Sequence, residues 1–258
     1  MTAIQLRHGR LVTEILPDRE RVGAAAAAHV AGRLATILAT RDEARLIFAA
    51  AASQGEFLDA LVAMPGIDWG RVVAFHLDEY VGLPLGDERS FGEWLDRRIW
   101  SKVRPGRVGK LDGAAAARDP EAECARYGEL LTAGGIDLAL IGVGENGHLA
   151  FNDPHVADFH DPLAVKVVEI DDRSRHQQVR DGAFASFEAV PRLAMTVTMS
   201  ALLASRAVSV VVPGAQKAAA VAAMLEGPIT TACPASALRD HPDAVMFVDE
   251  AAVSGVTP

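Results

Sequence analysis

The sequence predicts an α/β fold, an open, mostly parallel, Rossmann-like sheet with helices on both faces. Three observations predict it. Apolar runs of strand length alternate with helix-length segments along the chain, and turn residues sit where the two meet. Half of the 258 residues are apolar, enough to bury a large core. Aromatic residues make up only 5% while Ala and Val abound, a balance that suits parallel strands covered on both faces by small-residue helices. The chain reads as one domain over 1–258, with no internal repeat, low-complexity linker or strong boundary.

Element by element, a helix over 20–40 leads into a strand at 46–51, and Ser53 with Glu56 has the spacing of a capping box opening the next helix. A strand follows at 72–77. Ser90 and Glu93 repeat the capping-box spacing before a helix to about 99. Asp119 with Pro120 marks another helix start, which Gly134 and Gly135 close before a strand at 136–141. The second half reads as a strand at 165–170, a helix over 173–184, and strands at 195–199 and 207–212. A helix over 216–225 ends at Gly227, and a short helix near 235–240 precedes a last strand at 244–248, inside the sheet.

The formal charge of −9 and the absence of a basic block argue against a sequence-independent grip on nucleic acid, which needs clustered Lys and Arg to displace counterions from phosphates. Cys124 and Cys233 lie far apart with no partner at metal-ligand spacing, so neither a disulfide framework nor a zinc site is expected, and both read as buried thiols. Residues 1–17 mix Gln, Arg, His and Glu with apolar residues and lack the continuous stretch of a secretory signal. The alanine run at 23–28 is too short to span a membrane. The expectation is a soluble, cytoplasmic protein.

Ligands of open α/β sheets bind outside the carboxyl ends of the strands, so the loops there are the ones to read. Three are rich in polar groups: Asp78-Glu79-Tyr80, the stretch 142–153, and 214–217. The run Ile141-Gly-Val-Gly-Glu-Asn-Gly-His-Leu-Ala-Phe-Asn-Asp-Pro154 places three glycines in fourteen positions, where positive φ and close backbone approach would present Glu145, Asn146 and His148 from a tight loop. His148 is the natural proton carrier near neutral pH, unless it only hydrogen-bonds a carbonyl in a glycine-rich connection. Asp78 should emerge at the sheet edge, where it is either a general base or a turn or cap carboxylate. Lys217, in the expected first turn of a helix, faces the positive end of the helix dipole. A bound anion would resolve that conflict, with N–H groups after Gly214 completing a phosphate dock, whereas a solvated lysine would tolerate about 0.3 to 1 kcal/mol. Ser53, Gln54 and Gly55 could add N–H donors, although a purely structural helix start is the favoured reading.

Leu77-Asp-Glu-Tyr-Val-Gly-Leu83 and the stretch 142–154 resemble two signature blocks of the glucosamine-6-phosphate deaminase/isomerase family, in the family's order and spacing. Val211-Val-Pro-Gly-Ala-Gln-Lys217, followed by a helix, is similar to the family's phosphate-binding lysine segment, and Pro234-Ala-Ser-Ala-Leu238 to its C-terminal part. The resemblance implies isomerisation and deamination of a phosphorylated amino sugar, a hexosamine 6-phosphate, to a ketose phosphate and ammonia. It implies that Asp78 moves a proton between C2 and C1 and that His148 assists ring opening. Asp153 and Asn146 would orient the imidazole, and Lys217 would hold the phosphate. No metal or organic cofactor is implied, and homo-oligomerisation stays open. The implied substrate-facing set is Lys217, Ser53, Gln54, Gly55, Glu79 and Gly144, with Arg180 as the family's phosphate-binding arginine and Arg175 as its rival. Position 146 is Asn where many members carry Asp, and the first phosphate loop reads Ala51-Ala-Ser-Gln-Gly-Glu56 where members have Thr-Gly-Gly-Thr-Pro or Gly-Ser-Thr-Pro, placing an acid beside the expected phosphate. Related 6-phosphogluconolactonases share the fold and a Gly-His motif but continue as Ala-Ser-Leu-Phe-Pro, and a non-catalytic sugar-phosphate sensor would predict an attached DNA-binding module.

Overall fold

Runs of aliphatic residues buried along their full length make the central strands, as expected where helices cover both faces of a sheet. The computed structural model describes residues 4–256. Its strands are β1 (Ile4–His8), β2 (Leu11–Leu16), β3 (Ala44–Phe48), β4 (Val72–His76), β5 (Asp78–Tyr80), β6 (Arg107–Val108), β7 (Leu138–Ile141), β8 (Val165–Glu169), β9 (Leu193–Val197), β10 (Ala207–Val212) and β11 (Ala244–Asp249). Eight of them form one sheet in the order β1-β2-β11-β10-β7-β3-β4-β6. Only the β1–β2 hairpin pairs antiparallel in it; every other neighbour is parallel. The chain builds outward from β3 through β4 to β6, then returns to add β7 on the other side of β3. That reversal is the switch point at which α/β sheets open a ligand crevice.

The first long helix, Arg19–Leu38, starts where the Asp18 side chain accepts from the Arg21 N–H at 2.8 Å, with Glu20 in its first turn. Its buried residues Val22, Ala26, Val30 and Leu34 recur at one-turn spacing and face the core. Two apolar clusters pack against the sheet, one around Ile141, Val210 and Met224, the other around Phe48, Leu61 and Trp100.

Several expectations are corrected. The segments 165–170 and 195–199 do not join the large sheet: β8 and β9 pair antiparallel, and β5 joins β9, making a separate three-stranded sheet. Apolar periodicity marks a strand but not its partner, which is why the sequence could not assign them. The β1–β2 hairpin was not anticipated, because its outer strand is largely exposed and carries little apolar signal. Ser53 does not cap a helix: a 3-10 turn, Ala52–Gln54, runs into the helix Gly55–Ala63 without a side-chain cap. Ser90 does cap, accepting from the Glu93 N–H at 3.4 Å. The helix expected over 173–184 ends at Arg180, and the short one near 235–240 is a 3-10 segment, Pro234–Arg239.

Candidate active site

The loops after β3, β4, β7 and β10 meet over the switch point and enclose a cleft whose lining includes Ser53, Asp78, Gly144, His148 and Lys217. Residues far apart in the chain are thus brought together because each follows the carboxyl end of a strand in the sheet's central region.

Asp78 is the first residue of β5, where the chain leaves the large sheet for the small one, opposite Thr196. It is 8% exposed, and no described residue donates a hydrogen bond to its carboxylate. Burial, reinforced by the neighbouring Glu79 carboxyl, pushes the Asp78 carboxyl well above the usual carboxylate range. Glu79 points elsewhere. Its oxygens accept from Ser90 Oγ at 2.6 Å and from the N–H groups of Tyr80, Phe91 and Gly92, so it caps the Phe91–Leu95 helix and does not line the cleft with Asp78.

His148 is held from behind. Its Nδ1 lies 2.9 Å from Asp153 Oδ1 and 3.0 Å from Ser174 Oγ, and its main-chain N–H donates to Asn146 Oδ1 at 3.1 Å. Asp153 is fully buried and accepts from Ser174 Oγ at 2.6 Å, from Asn146 Nδ2 at 2.9 Å and, on its other oxygen, from the Asp171 N–H at 3.1 Å. Burial alone would raise its carboxyl, but His148, Asn146 and Ser174 together hold it down at about 2. The Nδ1–H that this carboxylate orders leaves Nε2 as an acceptor at the cleft. Asn146 adds what an ionised Asp could not: its amide N–H donates to Asp153.

Two glycines here answer to space. A Cβ on Gly144 would lie 2.2 Å from His148 Nε2, so the imidazole passes directly over its backbone, and one on Gly142 would meet Gln54 Nε2 at 2.8 Å. Of the three glycines expected to need positive φ, only Gly147 does, at 82°, while Ala150, which lines the cleft, takes φ 53° without being glycine. Gly144→Ala is therefore expected to displace the imidazole and cut turnover by about a hundredfold, the scale of a misplaced catalytic group. Steady-state kinetics with a melting curve checks it, since a folded mutant of full activity would contradict the packing.

Lys217 is 4% exposed and ends the 3-10 turn Ala215–Lys217; the helix itself is Ala218–Glu226, starting two residues later than expected. Its ammonium makes no hydrogen bond or ion pair with a described residue. Burial lowers the ammonium pKa, with Glu145 and Asp181 acting in the opposite sense and Arg180 adding to the lowering. The Gly214 N–H donates to Asp249 at 3.0 Å, and of the N–H groups after Gly214, expected to be free, that of Lys217 donates to the Gly214 carbonyl at 2.9 Å.

Other expected residues fall outside the lining. Gln54 is buried beneath the cleft, donating to Val211 O at 3.0 Å and to Ser53 Oγ at 3.3 Å, and Gly55 packs against Arg98. Arg175 donates to the carbonyls of Phe187 and Val190 and stacks on the Phe187 ring, so it pins the segment after its helix. Arg180 is paired with Glu145 at 2.5 Å. Glu56, the acid that the sequence placed beside the expected phosphate, is held by Arg19 at 2.9 and 3.1 Å and does not line the cleft. The sequence reading missed Ser174, Gln177, Gln178, Phe91 and Phe151, of which all but Ser174 line the cleft. A polar pair in a helix with four basic side chains gave no signal that its face would cover a cleft.

Among the described residues no group of His, Cys, Asp and Glu could hold a metal ion, and no helix is long and apolar enough to cross a membrane. Residues 17–247 match the family model described as glucosamine-6-phosphate isomerases/6-phosphogluconolactonase. The chain belongs to this family. Among its curated relatives, the glucosamine-6-phosphate deaminase of Arthrobacter sp. is 36% identical over 250 residues, which covers 94% of this chain and 91% of the relative. That of Cellvibrio japonicus is 36% identical over 192 residues, 73% of this chain and 70% of the relative. A solved structure of a monomeric glucosamine-6-phosphate deaminase superposes with a TM-score of 0.86 at 28% identity, covering 95% of this chain and 99% of that one. The 6-phosphogluconolactonase of Thermotoga maritima superposes at 0.75 with 20% identity over 93% of this chain and 100% of its own, a likeness of fold.

Proposed function

We propose that this chain, acting as one domain over 1–258, is a cytoplasmic enzyme that isomerises and deaminates a hexosamine 6-phosphate, glucosamine 6-phosphate or a close analogue. The observation that carries this reading is that an unpartnered, buried carboxylate on Asp78 shares one cleft with the braced His148 and the unpartnered Lys217. Proton transfer at carbon needs a base whose basicity is raised and which no other donor occupies. Asp78 has both properties. The two deaminase names among the curated relatives and the 0.86 superposition support the same chemistry over lactone hydrolysis.

In this reading Lys217 holds the 6-phosphate, with Ser53 and Gln178 lining the same cleft. His148 Nε2 takes and returns the proton exchanged as the pyranose opens to the C1 aldehyde. The Asp78 carboxylate removes the proton from C2 while O1 takes one from the substrate's own C2 ammonium, the C2 electrons form the C1–C2 enolamine, and Asp78 returns the C2 proton to C1. The nitrogen then sits on C2 as an imine, which adds water and loses ammonia to leave the C2 ketone. Ser174, Asp153 and Asn146 set the tautomer and direction of His148. Arg180 is held outside the lining in its pair with Glu145. Sedimentation would decide whether copies of the chain associate.

The test is incubation with glucosamine, galactosamine and mannosamine 6-phosphates, measuring ammonia and ketose phosphate, with 6-phosphogluconolactone as a parallel substrate. Equimolar ammonia and ketose phosphate from at least one amino sugar is expected. Lactone hydrolysis with no ammonia from any of them would overturn the reading.

A separate expectation concerns acid. The Asp153 carboxyl sits at about 2 in the folded chain against about 4 when unfolded. A depressed carboxyl stabilises the fold fully above its unfolded value, and that contribution, on the order of 2 to 3 kcal/mol, is lost as pH falls from about 4 toward 2. The gap in stability between the parent and Asp153→Asn should therefore close over that window, as denaturant titrations at a series of pH values would read. A gap independent of pH would contradict it.

A further inference from the structure

Directly behind Asp78 lies His76, the last residue of β4, fully buried and outside the cleft lining. Its ring nitrogens have one partner each. Nδ1 is 2.9 Å from the main-chain carbonyl of Asp78, which can only accept, and Nε2 is 2.9 Å from the Leu111 N–H, which can only donate. Both bonds exist together in one form alone, the neutral ring protonated on Nδ1. A protonated ring would turn an Nε2–H against the Leu111 N–H, and burial accordingly pushes the imidazole down to about 3. The residue's own main chain is equally fixed. Its N–H donates to Tyr127 Oη at 2.9 Å, and the same hydroxyl donates to its carbonyl at 2.8 Å. The Trp100 and Tyr127 rings flank it edge-on at 6.2 and 5.9 Å.

The location gives these bonds their meaning. Between His76 and Asp78 the chain passes from the parallel sheet into the antiparallel one, with Leu77 donating to Phe48 O on one side and accepting from the Val197 N–H on the other. At such a crossing the regular ladder of β4 stops, and the Asp78 carbonyl takes its bond from the His76 ring instead. The carboxylate of Asp78 has no hydrogen bond from a described residue to hold it, so its place in the cleft depends on its main chain.

We propose that His76 is a positioning residue for the reaction: a permanently neutral imidazole that clamps the Asp78 main chain to Leu111 and so aims the unpartnered carboxylate at the substrate. The proposal rests on the reading of Asp78 as the base.

His76→Leu keeps the apolar bulk and removes both ring bonds, whereas His76→Gln offers an amide that can restore one of them. The expected result is a fall in kcat of tenfold or more for His76→Leu with KM within about twofold, and partial recovery in His76→Gln, the pattern of a misdirected catalytic group. Tyr127→Phe, which frees only the His76 main chain, should lower kcat by a smaller factor and serves if His76→Leu does not fold. Nitrogen-15 NMR of the parent reads the ring without activity: a single neutral tautomer, protonated on Nδ1, is expected from about pH 5 to 9. A folded His76→Leu with parental kcat, or an Nε2-protonated ring, overturns the proposal. If Asp78→Asn is dead while His76→Leu is fully active, the clamp fails and the base stands. If Asp78→Asn is itself active, the base assignment fails, whatever the NMR shows.

Discussion

Asp78→Asn should be almost inactive and more stable than the parent. The amide keeps the shape of the side chain but cannot accept the C2 proton, so kcat should drop by about a thousandfold, within the range ascribed to general-base catalysis, while KM changes little. The stability gain follows from the same carboxyl. Its proton is held well above the usual range by burial and by Glu79, so above the unfolded carboxyl value of about 4 the folded chain either retains a proton or carries a buried, unpaired charge. A raised carboxyl opposes folding increasingly as pH climbs from the unfolded value through the folded one. The Asn variant escapes that penalty, so its advantage should be absent in strong acid and grow toward neutrality. A gain on the order of 1 kcal/mol at neutral pH, the scale seen when an active-site compromise is removed, amounts to about 2 to 4 °C in Tm for a chain of this size. Parallel melting curves at low and neutral pH with steady-state kinetics check both halves. A variant with parental turnover, or one that melts lower at neutral pH, would refute the assignment.

Lys217→Met should lose the phosphorylated substrate while leaving its unphosphorylated counterpart untouched. A buried ammonium without a partner is worth about 1.5 to 3 kcal/mol to an anion that meets it, more where the contact is ionic and dry. At about 1.4 kcal/mol per factor of ten, kcat/KM for a hexosamine 6-phosphate should fall between roughly tenfold and a hundredfold, mainly through KM. With the free amino sugar, parent and variant should be equally poor. Inorganic phosphate should inhibit the parent and not the variant. If phosphate inhibits both equally, the anion is held elsewhere, and Gln178 and Arg180 become the residues to test. Met also fills the aliphatic track of the lysine without a desolvated charge, so the variant should fold at least as well.

The convergence of Asp78, His148 and Lys217 was legible because each lies in a short contiguous run after a strand, and strands of this period end on one side of the sheet. What was not legible required knowing which distant element lands where. Ser174 reaches Asp153 across 21 positions, and nothing in Asp172–Arg180 announces it. Gln177 and Gln178 line the cleft only because that helix lies over it. Two of the helix's three arginines, Arg175 and Arg180, were the expected anion ligands, yet the first is used by carbonyls and an aromatic ring and the second by Glu145. The Ser53-to-Glu56 spacing misled because Arg19, on a different helix, claims the glutamate. The three-stranded sheet stayed hidden since alternation fixes a strand's face and not its neighbour.

The carboxylate of Asp153 serves the imidazole of His148, the amide of Asn146, the hydroxyl of Ser174 and the main chain at Asp171 at once. Positions wired to one acceptor cannot drift independently. A change at 146 or 174 alters what the others experience, so in descent they should be exchanged in concert, and losses from altering two of them should fall short of the sum of the separate losses.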